Sequence, residues 1–113
     1  MIPDGFTRLC STSDVAKGEV VAVELDGTPL AVVHCDDDTF KVAYDECSHE
    51  QIKLSEGEVD GCTLECWLHG SRFDLSDGAP SGLPATEPIA VYPVRVHEGD
   101  LYVSLVPSNG VHA

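Results

Sequence analysis

The sequence predicts an all-β domain of antiparallel strands, and three observations carry that expectation. Short apolar runs rich in Val recur along the chain, each bounded by turn residues. Asp-Gly pairs at 26–27, 60–61 and 77–78, with Glu98-Gly99-Asp100, mark tight reversals. No segment supports a helix longer than one turn. The 113 residues make one domain, and the 42% of hydrophobic residues suffice for a modest core. Ten Gly and seven Pro fit a chain with many turns.

Phe6, Arg8 and Cys10 alternate with Thr7 and Leu9, which predicts a short first strand. Ser11-Thr12-Ser13-Asp14 then caps a single helical turn over Val15-Ala16-Lys17, stopped by Gly18. Glu19–Leu25 and Pro29–His34 flank Asp26-Gly27 as a hairpin, and Asp36-Asp37-Asp38 turns the chain into a strand over Thr39–Tyr44. Phe40, Val42 and Tyr44 share one face of that strand. A second hairpin is expected about Asp60-Gly61, and a short strand over Arg72–Leu75. Residues 78–88 form a loop with Pro80, Pro84 and Pro88. Ile89–His97 and Leu101–Val106 make the last hairpin, with Pro93 at an edge or bulge, and the tail from Pro107 frays. Residues 44–80 read as an insertion into this scaffold.

Charge narrows the partners. Twenty acidic side chains against six basic ones leave a formal net charge of −14, which argues against nucleic acid and fits either a solvated acidic surface or electrostatic steering toward a basic partner. Met1–Gly5 has neither the basic nor the apolar region of a targeting signal, and no apolar run is long enough to span a bilayer. The expectation is a cytoplasmic monomer. Five cysteines, an odd number in a reducing compartment, predict metal ligands plus free thiols and no disulfide framework.

The chemistry lies between Cys47 and His69. Cys47-Ser48-His49 and Cys66-Trp67-Leu68-His69 are separated by 16 residues, and each offers one thiolate and one imidazole. A single tetrahedral zinc is the plain alternative for such a set. The spacing disfavours it, because zinc fingers and ribbons usually pair like ligands within one loop. Cys10, Cys35 and Cys62 read as packed or free thiols, and His34, His97 and His112 as surface histidines. Trp67, between two candidate ligands, reads as local packing first, with shielding of the site or contact with a partner as the alternatives.

The two halves, with Gly70-Ser71-Arg72-Phe73-Asp74, the Asp77-Gly78 turn and Leu83-Pro84-Ala85, resemble the Rieske [2Fe–2S] proteins over nearly the whole chain. The resemblance implies the Rieske iron–sulfur fold: an antiparallel β-sandwich or barrel base with a cluster-binding subdomain inserted at about 45–86. It implies one [2Fe–2S] cluster, with Cys47 and Cys66 on one iron and His49 and His69 on the other. Leu83-Pro84-Ala85 would cover it. Two thiolates and two neutral imidazoles leave the oxidised cluster uncharged, so it accepts an electron more easily than a four-thiolate cluster, within roughly −150 to +300 mV. The electron would settle on the His-ligated iron. Respiratory members add a disulfide and a tyrosine hydroxyl beside the cluster. Ile52 and Leu68 stand where those cysteines would be and Phe73 replaces the tyrosine, though Ser71 keeps a hydroxyl, so the lower part of that range is expected.

No Ser-His-Asp or Cys-His arrangement stands out, and only His97 and His112 follow His69. That leaves no second iron site of two histidines and a carboxylate. The chain is therefore expected to be an electron carrier and not a catalyst. The resemblance to dioxygenase ferredoxins implies a flavin-dependent ferredoxin reductase as donor and a terminal oxygenase as acceptor. Similar proteins also occur in iron–sulfur assembly and as small subunits of nitrite reductase. A structural zinc-binding module is the reading from another class.

Overall fold

Three antiparallel sheets account for the ordered backbone of a computed structural model, which describes residues 5–46, 53–67, 72–80 and 87–111. In chain order the strands are β1 (Thr7–Ser11), β2 (Val20–Leu25), β3 (Thr28–His34), β4 (Phe40–Tyr44), β5 (Glu58–Asp60), β6 (Thr63–Glu65), β7 (Arg72–Asp74), β8 (Val91–Tyr92), β9 (Val94–His97) and β10 (Asp100–Val103). The sheets are ordered β1-β10-β9, β2-β3-β4-β8 and β5-β6-β7.

The four-stranded sheet is the middle layer. Leu30, Ala31, Val32 and Val33 of β3 are all fully buried, so this strand is covered on both faces. That explains why its sequence is a continuous apolar run without alternation. Leu30, Val32 and Val42 join Cys10, Leu101 and Val103 in one core, towards the first sheet. Ala31, Val33 and Ala43 join Leu64 and Phe73 in a second core, towards the third. Ala31 pairs directly with Ala43, and their small side chains leave room for the larger Leu64 and Phe73.

The hairpins follow the turn chemistry. Asp26 and Gly27 both have positive φ, 51° and 78°, as a two-residue turn between right-twisted strands requires. Glu98 and Gly99 do the same between β9 and β10, at 50° and 78°.

Three expectations need correction. The helical turn is a 3-10 turn at Thr12–Asp14, three residues earlier than expected, because Ser11 caps it and Asp14 closes the capping box onto the Ser11 N–H. The strand over Ile89–His97 is two strands. At Pro93 the chain leaves the middle sheet (β8 on β4) and enters the first (β9 on β10), so the residue without an N–H marks a change of layer. The tail is fastened through residue 109. Ser108 N–H donates to Val91 O at 2.8 Å, and the Asn109 amide donates to the carbonyls of Asp77 and Ile89, each at 2.8 Å.

Candidate cluster site

Of the four expected ligands, Cys66 is the one that lies among the described residues. Cys47, His49 and His69 fall outside them, as do Ile52, Leu68, Ser71 and the 83–85 loop. Cys66 follows β6 directly, is fully buried and carries a free thiol. It packs in the second core with Leu64, Phe73 and Leu75.

The chain on either side of the first half is closed by a polar clamp. Asp45, one residue beyond β4, is only 3% exposed. Its carboxylate accepts from Ser55 N–H and from Ser55 Oγ, both at 2.7 Å. Its own N–H donates to Pro29 O at 3.0 Å. These bonds join residues 45 and 55 across the segment that holds Cys47 and His49. A buried carboxylate with both oxygens accepting hydrogen bonds is a strong local constraint.

Past the clamp, Leu54–Glu56 forms a 3-10 turn with Leu54 fully buried. It delivers Gly57 against the backbone of Glu65, where a Cβ on residue 57 would collide with the Glu65 carbonyl. Glu65 is the residue before Cys66. The backbone that follows the first half therefore rests against the residue that precedes Cys66. Asp45 and Ser55 carried no sequence signal of this role, because nothing local links positions 45 and 55; Gly57 meets Glu65 through the hairpin at 60–61.

Phe73 in β7 is fully buried, opposite Leu64 and bridged to Pro80. An apolar ring thus occupies this side of the core around Cys66, with no hydroxyl to donate. On the exposed face of the hairpin, Arg72 bridges Asp60 at 3.1 Å and Glu65 at 3.5 Å, which ties β7 to its neighbour β6 and, across it, to β5. Trp67 is 53% exposed, not packed as expected. Trp67 thus places a large apolar ring in solvent beside the buried Cys66.

Two further expectations are overturned. Cys35 and Cys62 are neither separate thiols nor simple core residues: they form a disulfide, with Cα atoms 4.9 Å apart. The hairpin turn at Gly61-Cys62 comes to rest on the β3–β4 turn, which no local pattern foretold. His34 is not a surface histidine. Its Nδ1 lies 3.0 Å from Val15 O and its Nε2 2.6 Å from Asp38, and its ring stacks on Phe40 with centroids 4.1 Å apart. Cys10 is buried with a free thiol, as expected, and burial pushes that thiol's pKa up.

Cys35, Asp37 and Cys62 also place one potential metal-ligating atom each within 4.8 Å of one another. With the two sulfurs bonded to each other, that group offers no thiolate and is not where a cluster would bind. The donor set that fits a [2Fe–2S] cluster is the other one. Cys66 is a free, buried thiol held at a strand end, and each half pairs a soft thiolate with an imidazole.

Comparison with known proteins agrees. Ferredoxin CarAc of Metapseudomonas resinovorans is 36% identical over 99 residues, 88% of this chain and 92% of that protein. The ferredoxin component of the p-cumate 2,3-dioxygenase system of Pseudomonas putida is 37% identical over 98 residues, 86% and 83% of the two chains. Among solved structures, a chain from the complex of reduced oxygenase and oxidised ferredoxin in carbazole 1,9a-dioxygenase superposes with a TM-score of 0.82 at 37% identity, covering 90% of this chain and 94% of that one. The Rieske [2Fe–2S] domain model matches residues 5–93. The chain belongs to the Rieske [2Fe–2S] domain family.

Proposed function

We propose that this protein is a single-electron carrier with one Rieske [2Fe–2S] cluster, taking electrons from a flavin-dependent ferredoxin reductase and handing them to a terminal oxygenase. The observation that carries this reading is the free, fully buried Cys66 at the end of β6, within a Rieske match that spans residues 5–93. Cys47, His49, Cys66 and His69 are the proposed ligands, and residues 45–86 the cluster-binding subdomain. The cluster supplies a one-electron couple.

The chain's own residues do the rest. The Asp45–Ser55 clamp and the contact of Gly57 with Glu65 fix the described backbone that flanks the proposed ligands. Phe73 offers no hydroxyl, which favours a potential in the lower part of the Rieske range. Trp67 and the net charge of −14 suit a partner face that is basic at its rim and apolar at its centre. The named relatives belong to dioxygenase systems, and one structure pairs such a ferredoxin with its oxygenase. Among the described residues no helix is long and apolar enough to cross a membrane, and we place the carrier in the cytoplasm, as a monomer.

The test has two arms. Purified protein should be red-brown and hold about two iron and two sulfide per chain. Rapid mixing with reductase and NADH should then bleach it, and a terminal oxygenase should restore the colour. Colourless protein with one zinc per chain defeats the reading. A coloured protein that no such reductase reduces defeats the assignment of the donor alone.

A further inference from the structure

We propose that Cys35 and Cys62 form a reversible dithiol–disulfide site, a two-electron redox centre separate from the cluster ligands, which fastens the β5–β6 hairpin to the β3–β4 turn when oxidised. The two cysteines come from different layers of the fold. Cys35 follows β3, the central strand of the middle sheet, and Cys62 lies between β5 and β6 at the tip of the hairpin that leads to Cys66. Their Cα separation of 4.9 Å lies within the range a disulfide spans without backbone movement.

Both ends are held in place by bonds other than the disulfide. Cys35 N–H donates to Thr39 O at 2.8 Å, and Asp38 N–H to Cys35 O at 3.0 Å. Leu75 N–H donates to Cys62 O at 3.0 Å. The Thr39 hydroxyl lies 3.8 Å from the Cys62 sulfur, and a Cβ on Gly61 would sit 3.8 Å from the Asp36 carboxylate. The backbone bonds to Thr39, Asp38 and Leu75 involve no sulfur. Reduction leaves two thiols facing each other, ready to close again.

The pair is also asymmetric. Cys35 is fully buried, whereas Cys62 is partly exposed. An incoming thiolate reaches the Cys62 sulfur, and Cys35 is the resolving thiol. Oxidation runs by exchange with a low-molecular-weight disulfide such as oxidised glutathione. The Cys62 thiolate attacks, one small thiol leaves, Cys35 displaces the second, and the two electrons reside on the two released thiols. No electron from the cluster is required. Cys10, buried in the other core, takes no part.

The bond bears on the hairpin that presents Cys66. With it, the tip of β5–β6 is fixed to the β3–β4 turn by sulfur, while at the open end Gly57 and Glu65 close the hairpin on itself. Without it, the tip is held by packing and the Leu75 bond.

The test uses the intact holoprotein. Aliquots are equilibrated in oxidised and reduced dithiothreitol buffers, trapped with N-ethylmaleimide in acid denaturant, and mapped by peptide mass. The linked Cys35–Cys62 peptide should dominate in air and disappear along a single two-electron curve as the buffer is made more reducing, with Cys10 alkylated throughout. Amide exchange over residues 58–65 should rise about tenfold on reduction, with β2 and β3 unchanged. Cys62→Ala, a change at a partly exposed position, should show the faster exchange at every poise. Free Cys35 and Cys62 in air-purified protein would overturn the proposal. So would a pair that stays linked in fully reduced dithiothreitol, or hairpin exchange that ignores the bond. Zinc bound by the reduced pair and lost in Cys62→Ala would replace it with a metal site.

Discussion

Asp45 ties the chain just before residue 47 to Ser55. Its carboxylate satisfies two donors of Ser55 in a nearly water-free position. Asp45→Ala strands the Ser55 N–H and should destabilise the fold by about 1–3 kcal/mol in urea unfolding. Ser55→Ala removes only the hydroxyl bond and should cost about 1 kcal/mol. Both should hasten loss of the cluster to an iron chelator, Asp45→Ala more. Phe73 makes a different prediction. A hydroxyl at that ring, in Phe73→Tyr, bonds the reduced cluster more strongly than the oxidised one. A preference of about 1 kcal/mol corresponds to a rise of about 40 mV for one electron. A folded Phe73→Tyr protein with an unchanged midpoint would show that this ring does not face the cluster.

At the scale of elements, the β5–β6 hairpin depends on a close approach. Gly57→Ala forces a Cβ into the Glu65 carbonyl, a contact with backbone that no flexible side chain can relieve. A loss of about 1–3 kcal/mol in stability is expected, together with poor cluster incorporation, and iron content read beside a melting curve checks both. The turns respond to acid. Asp37 is held below its usual pKa by the Thr39 hydroxyl and then its N–H, Asp38 by the His34 ring and then Lys17, and Asp74 by the Ser76 hydroxyl and then its N–H. A carboxyl depressed on folding stabilises the fold above its unfolded pKa, and that contribution fades as pH falls through the folded value. Stability should therefore drop below about pH 4, and Ser76→Ala should flatten that fall. The hairpins were legible in the sequence because Asp-Gly turns act locally, and so was the strand β4, with Phe40, Val42 and Tyr44 turned to one core. The break at Pro93, the anchored Asn109, the Asp45–Ser55 clamp and the Cys35–Cys62 bond were not. Each joins positions far apart in sequence, and only the stacking of layers makes them neighbours.

For the whole molecule, an acidic carrier presents a field that acts before contact does. With a net charge of −14, association with a basic partner should slow by about tenfold or more as salt is raised from a few millimolar to physiological strength, in stopped-flow rates of electron transfer. Trp67→Ala should weaken binding with little change in that salt slope, since it removes apolar contact and no charge. The central claim is that two thiolates and two imidazoles hold a two-iron cluster that carries one electron at a time. A redox titration of the purified, coloured protein tests it most directly. The account predicts a single one-electron wave in the lower part of the span from roughly −150 to +300 mV. A midpoint near −400 mV, the value of plant-type four-cysteine ferredoxins, would contradict it.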